Sequence, residues 1–262
     1  MDWGMKNRMN RIFNPKTGRT VMFAIDHGYF LGPTSGLERP GETVEDLLPH
    51  ADSLMLTRGV LRNCIPSTSD VPIVMRMSGG TSILTELSHE GLTMNVEDAL
   101  RLNASAITLS LFVGEEGERT TLLNLGKLVD AGERYGLPVL AVTAVGKSMQ
   151  RDARYLGLAC RICAELGAHM VKTYYVDGFE KIVRDTPVPI VIAGGKKIPE
   201  RDALKLAYNA IQAGACGVDM GRNIFQSDSP VGMVRAIRGI VQDNLNVSDA
   251  HDLYMTVKNG ES

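Results

Sequence analysis

Long apolar runs are scarce in this 262-residue sequence, and none approaches the roughly 20 residues that a bilayer-spanning helix needs. The opening Met1-Asp2-Trp3-Gly4-Met5-Lys6 lacks the apolar stretch of a secretory signal. Charge of one sign is also missing. The 28 Lys and Arg against 30 Asp and Glu leave a formal charge of −2, which argues against nucleic acid or an acidic membrane as partner. A soluble cytoplasmic protein is expected. Cysteine is rare: Cys64, Cys160, Cys163 and Cys216 are irregularly spaced, as reduced thiols are. Cys160 and Cys163 form a C-x-x-C, but no second pair completes a zinc site, and both fall at core spacing in a helical pattern. The five histidines show no H-E-x-x-H or comparable spacing, so no protein-held metal is expected. No linker, charge block or low-complexity tract divides the chain, which reads as one domain over 1–262.

What is present is an alternation of short β-rich runs with longer amphipathic segments. Strands are expected at 20–26, 53–57, 72–78, 106–113, 138–143, 170–175, 189–193 and 217–221. Most are nearly continuous apolar runs, as suits a parallel sheet covered on its outer face. Helical patterns lie between them. The segment 121–135 carries Leu122, Leu125, Leu128 and Val129 on one stripe and stops at Gly136. Others run over 151–166, 199–213 and 230–243, while 28–40 reads as a Gly/Pro-rich loop. Residues 1–19 are expected to pack on the barrel as an N-terminal segment. Eight strand–helix units in this length predict an α/β fold, a (β/α)8 TIM barrel. An open doubly wound sheet would put a G-x-G-x-x-G after its first strand, and Ala24-Ile25-Asp26-His27-Gly28-Tyr29 has none.

Barrel active sites lie at the C-terminal ends of strands. Those ends supply Asp26 and His27, Thr57 and Arg58, Arg76 and Ser78, and Lys172 and Tyr174. Strand seven runs into Gly194-Gly195-Lys196-Lys197 and strand eight into Gly221-Arg222-Asn223. Two glycine-bearing, basic loops after strands seven and eight make the usual phosphate site of this fold, so Gly194, Gly195, Lys196, Gly221 and Arg222 are candidate phosphate-binding residues. The alternative is that the glycines only make tight turns. Lys172 sits within Met170-Val171-Lys172-Thr173-Tyr174-Tyr175, where an ammonium is costly unless paired or neutral. Such a lysine is either an amine nucleophile for a carbonyl or a strand residue snorkelling to water. Asp26 is the candidate acid/base, with a helix cap or salt bridge as its alternative role. His27 either transfers protons or hydrogen-bonds its loop. Arg58, Arg76 and Ser78 either contact substrate oxygens or hold neighbouring loops. Lys147 is placed to lower the Lys172 pKa by like charge. Met75 and Met77 read as barrel filling.

These residues resemble the class I aldolase family that includes archaeal-type fructose-bisphosphate aldolases. The likeness runs over almost the whole chain and is carried by Ala24-Ile25-Asp26-His27-Gly28, Lys172, Gly194-Gly195-Lys196 and Gly221-Arg222-Asn223. Asp2-Trp3-Gly4-Met5, Arg11-Ile12-Phe13-Asn14-Pro15-Lys16-Thr17-Gly18 and Lys172-Thr173-Tyr174-Tyr175-Val176 are similar to one branch of it, the 3-hydroxy-5-phosphonooxypentane-2,4-dione thiolases of autoinducer-2 processing. The resemblance implies that Lys172 forms a Schiff base with a phosphorylated dione and that an acetyl group passes to coenzyme A, a co-substrate, leaving dihydroxyacetone phosphate. It also implies a ring-shaped homo-oligomer, a decamer.

Two departures stand out. The aldolase branch carries a proton-transferring tyrosine at the end of strand five, where this chain reads Val142-Thr143-Ala144-Val145-Gly146-Lys147. A sugar aldolase would lack a needed part, which favours the thiolase branch. That branch also usually shows a further polar segment ahead of Asp-Trp-Gly. The alternatives kept are a class I ketose-phosphate aldolase and a phosphate-binding barrel without covalent chemistry, an isomerase or sensor.

Overall fold

Each strand forms where the chain offers two apolar faces at period two. In the computed structural model, which describes residues 1–145 and 150–260, eight parallel strands close into a barrel. They are β1 (Thr20–Ala24), β2 (Ser53–Leu56), β3 (Ile73–Arg76), β4 (Ala106–Leu111), β5 (Val139–Thr143), β6 (Met170–Tyr174), β7 (Ile190–Ala193) and β8 (Gly217–Met220). Each pairs with the next in sequence, and β8 closes on β1 with Gly217 opposite Thr20. The (β/α)8 reading is borne out, with strand ends shifted by only one or two residues.

Helices wrap the sheet where the sequence supplies caps and stops. Asp152 accepts from the Tyr155 N–H at 2.8 Å to start Ala153–Glu165. Gly136, at φ 68°, ends Glu118–Tyr135 in the left-handed region. The loop 28–40 is more ordered than its composition suggests, because Gly28–Leu31 forms a helical turn. A two-stranded ribbon, Ser78–Gly79 with Gly91–Leu92, has no counterpart in the sequence reading.

The alternation of side chains along the strands decides what reaches the interior. Met22, Met55, Val74, Ala106, Leu140, Met170 and Val191 form an inner cluster. Their neighbours Phe23, Leu54, Met75, Ile107, Ala141, Val171 and Ile192 belong to the outer cluster under the helices. Met75 and Met77 therefore do not fill the barrel; they are one residue out of phase with Val74 and pack outward. The same parity turns Asp26, Arg76, Ser110, Lys172 and Asp219 inward, two residues on from inner-cluster positions or stacked above them.

The bottom of the barrel is plugged. Helix Trp3–Ile12 is capped by Asp2, whose carboxylate accepts from the Met5 N–H at 2.7 Å. Arg8 donates to the Gly136 carbonyl at 2.9 Å, and Ile12 and Phe13 join the inner cluster. Among the described residues, no helix is long and apolar enough to cross a membrane.

Candidate active site

A cavity of about 460 Å³ opens at the C-terminal ends of the strands. On one wall, Lys172 Nζ lies 2.9 Å from Asp219 Oδ2, with 10% of the lysine side chain and none of the aspartate exposed. Asp219 has no well-angled hydrogen bond, so the charge contact with Lys172 is its compensation. Burial raises the Asp219 carboxyl above the usual aspartate range, and the Lys172 ammonium opposes that shift without cancelling it. A reluctant carboxylate beside an amine is a proton acceptor placed where one is needed.

Asp26 sits in a different environment. Arg76 donates to its Oδ2 twice, from Nε at 2.9 Å and from Nη2 at 2.6 Å, and both residues are buried. Burial pushes the Asp26 carboxyl up, but Arg76, with His27 and Lys172 nearby, outweighs it and holds the group below its usual range. Asp26 is thus a fixed negative charge. Arg76 also donates to Ser110 Oγ at 2.9 Å and lies 5.0 Å from the Tyr29 ring centre. Tyr29 and Ser78 in turn donate to the two oxygens of Glu90 at 2.6 and 2.5 Å. His27 stacks edge-on against Phe225, and its Nδ1 is buried without a partner. Burial first, then Lys172, Arg222 and Arg76, lower His27 to about 4 against the pull of Asp26, so it is neutral at neutral pH.

Cations reach the mouth beside this pair, from the segments after β5, β7 and β8. Lys196, Arg151 and Arg222 line the cavity, and none of the three has a carboxylate partner among the described residues. Arg151 stacks on Tyr174 at 3.9 Å, and Arg222 Nε is buried and unpartnered. Burial lowers the Arg222 pKa, and Arg151 lowers it further. Asn223 ties the two glycine loops together: its Nδ2 donates to the Gly194 carbonyl at 2.7 Å, and its Oδ1 accepts from the Ile198 N–H at 2.9 Å. A Cβ on Gly194 would meet Asn223 Nδ2 at 2.9 Å, and one on Gly221 would meet the Ala24 carbonyl at 2.4 Å. Both positions require glycine for close approach.

Not every sequence candidate reaches this cavity. Arg58 pairs with Asp98 at 3.1 Å and donates to the Thr93 carbonyl at 3.2 Å, so it holds a neighbouring loop outside the mouth. Ser78 is buried and donates to Glu90 instead of lining the cavity. Lys197 turns away to Glu200 at 2.6 Å. Lys147 lies outside the described residues. The C-x-x-C is core: burial pushes Cys160 up to about 12 and raises Cys163 too, so neither is a reactive thiolate. Asp219, Arg151, Tyr29 and Glu90 were missed. Asp219 left a signal, an inward acid in the otherwise apolar β8.

A model of the family described as DeoC/LacD family aldolase matches residues 20–227. The chain belongs to that family. It is 56% identical over 259 residues to a 3-hydroxy-5-phosphonooxypentane-2,4-dione thiolase of Photorhabdus laumondii, covering 98% of this chain and 89% of that protein. The protein of the same name from Yersinia pseudotuberculosis is 55% identical over 260 residues, 99% of this chain and 89% of its own length. Among solved structures, an archaeal fructose 1,6-bisphosphate aldolase superposes with a TM-score of 0.80 at 26% identity, covering 90% of this chain and 98% of that one. Another archaeal fructose-1,6-bisphosphate aldolase, with its catalytic lysine bound to the carbinolamine intermediate, gives 0.80 at 25% identity, covering 90% and 99%. The family resemblance read from the residues is borne out.

Proposed function

We propose that this aldolase-family enzyme cleaves 3-hydroxy-5-phosphonooxypentane-2,4-dione through an imine on Lys172, passing the acetyl group to coenzyme A. The observation that carries the reading is the buried Lys172–Asp219 contact beside three cations that have no carboxylate partner among the described residues. The identity to thiolases over nearly the full chain names the substrate.

The chemistry follows from these placements. The phosphate docks against Arg151, Arg222 and Lys196, which brings the ketone at carbon 4 to Lys172. Lys172 yields a proton to Asp219 and attacks that ketone; Asp219 returns the proton to the oxygen, and water leaves to give an iminium. The coenzyme A thiolate adds to the ketone at carbon 2. The bond between carbons 2 and 3 then breaks, the acetyl group leaves as a thioester, and the electron pair flows into the iminium as an enamine. A proton adds at carbon 3, and water releases dihydroxyacetone phosphate and Lys172. His27, held neutral above about pH 4, is too weak a base for the thiol, whose proton goes to solvent before the thiolate adds. Asp26 and Arg76 hold the field of the site constant.

The absence of a phenol on β5, where Val142 and Thr143 line the mouth, favours acyl transfer over sugar cleavage. A homo-oligomer, a decamer by family resemblance, and a cytoplasmic location complete the reading. The test is borohydride trapping on Lys172 together with product analysis. Acetyl-CoA formed only when coenzyme A is present supports it; brisk fructose 1,6-bisphosphate cleavage without coenzyme A overturns it.

A further inference from the structure

Away from the mouth, a groove of about 990 Å³ runs between helix Arg58–Cys64, helix Val96–Arg101 and helix Glu118–Tyr135. Five cations line it, Arg58, Arg62, Arg101, Lys127 and Arg134, against the carboxylates of Glu97 and Asp98. Three arginines converge on Asp98: Arg58 at 3.1 Å, Arg62 at 2.8 Å, and Arg101. Their hydrogen bonds, that of Arg101 first, hold the Asp98 carboxyl below its usual range. Glu97 accepts from the Tyr135 hydroxyl at 3.0 Å. Lys127 and Arg134 are exposed and have no carboxylate partner among the described residues. In a chain of net charge −2, such a concentration of positive charge marks a place for an anion. The floor is apolar, with Leu92, Met94, Leu128 and Ala131, so the anion that fits has a flat apolar body as well.

A second cavity of about 270 Å³ lies between this groove and the reaction centre. It shares Arg58, Thr93 and Met94 with the groove, and Tyr29 and Arg76 with the mouth. Gly79 and Gly80 also line it, so no side chain from that segment fills the space. A slender arm anchored by a polyanionic head in the groove would enter the mouth beside Asp26 and Arg76, on the side away from Lys196 and Arg222.

We propose that the groove binds the nucleotide end of coenzyme A, and that the second cavity guides its thiol arm to the mouth. The assignment rests on the thiolase reading above. The 3′-phosphate and diphosphate meet the arginines and Lys127, and the adenine lies on the apolar floor. The test binds adenosine 3′,5′-bisphosphate to the full chain by calorimetry and compares coenzyme A with pantetheine as acetyl acceptor. In Lys127→Glu with Arg134→Glu, bisphosphate binding is lost and KM for coenzyme A rises about tenfold or more, while KM for pantetheine and for the phosphodione stays put. Unaltered bisphosphate binding, or an equal rise with pantetheine, overturns the proposal. So does a wild-type chain that binds no bisphosphate and changes its sedimentation on charge reversal, since the groove is then a contact between copies. A chain that makes no acetyl thioester yet binds the bisphosphate through Lys127 and Arg134 supports the groove and removes the thiolase reading instead.

Discussion

Lys172 and Asp219 meet at 2.9 Å although their strands are not neighbours. β7 runs between them, with Val191 in register with Lys172 and Ala193 in register with Asp219. Short side chains at those inward positions leave room for the lysine to reach across. Two buried charges that would each be costly alone are thereby held together at the barrel mouth.

On the proposed mechanism, replacing the lysine removes the nucleophile. Lys172→Met is expected to abolish borohydride trapping, read as the missing mass increment, and to lower turnover by a factor on the order of 10⁴ or more. The chain should stay folded, because burial raises the Asp219 carboxyl and loss of the opposing ammonium lets it take up a proton in place of an unpaired charge.

Asp219→Asn keeps the shape and removes the proposed proton acceptor. Turnover should fall about 10²- to 10⁴-fold with little change in KM, and the imine should form more slowly in single-turnover trapping. Trapping at the wild-type rate would return the acid/base role to Asp26.

The pH dependence of stability carries the mark of His27. The unfolded chain protonates this histidine below its ordinary 6.5, whereas the folded chain resists until about 4. Its contribution is therefore whole above the ordinary value and is lost as pH falls through the interval, by roughly 3 kcal/mol. Asp26, lowered in the fold, contributes stability present above 3.8 and lost as pH falls through its folded value. Asp219, raised, has the opposite sign. Denaturant titrations of His27→Gln against wild type should therefore show a flatter slope between pH 6.5 and 4.

The cations at the mouth predict a split in the kinetics. Arg222→Ala should raise KM for the phosphorylated substrate about tenfold or more and leave an unphosphorylated analogue nearly unaffected. Gly221→Ala should act differently, because the added carbon collides with the Ala24 carbonyl and with His27 Cε1 at 2.5 Å. A stability loss of about 1–3 kcal/mol, measured by denaturant, should accompany its loss of activity.

Much of this was legible in the residues, and the gaps have physical reasons. Runs such as Ala106–Leu111 announce themselves locally, so the barrel could be counted. The glycine loops were visible because glycine is read from one position at a time. Pairings were not. For Arg58 the sequence could not separate substrate contact from holding a loop, because its partner, Asp98, lies 40 residues away. For Asp26 the sequence left acid/base and salt bridge both open, because its arginine partner comes from β3, 50 residues on. Met75 and Met77 were misassigned because composition does not fix which face of a buried strand looks inward.

The plug formed by Ile12 and Phe13 makes the barrel a blind vessel. Whatever enters must leave by the rim it crossed, so traffic at the rim sets the sequence of events. On the proposed reaction, the spent phosphate ester occupies the place its successor needs, while the thioester would depart from the other side. Dihydroxyacetone phosphate should accordingly compete with the dione but not with the thiol.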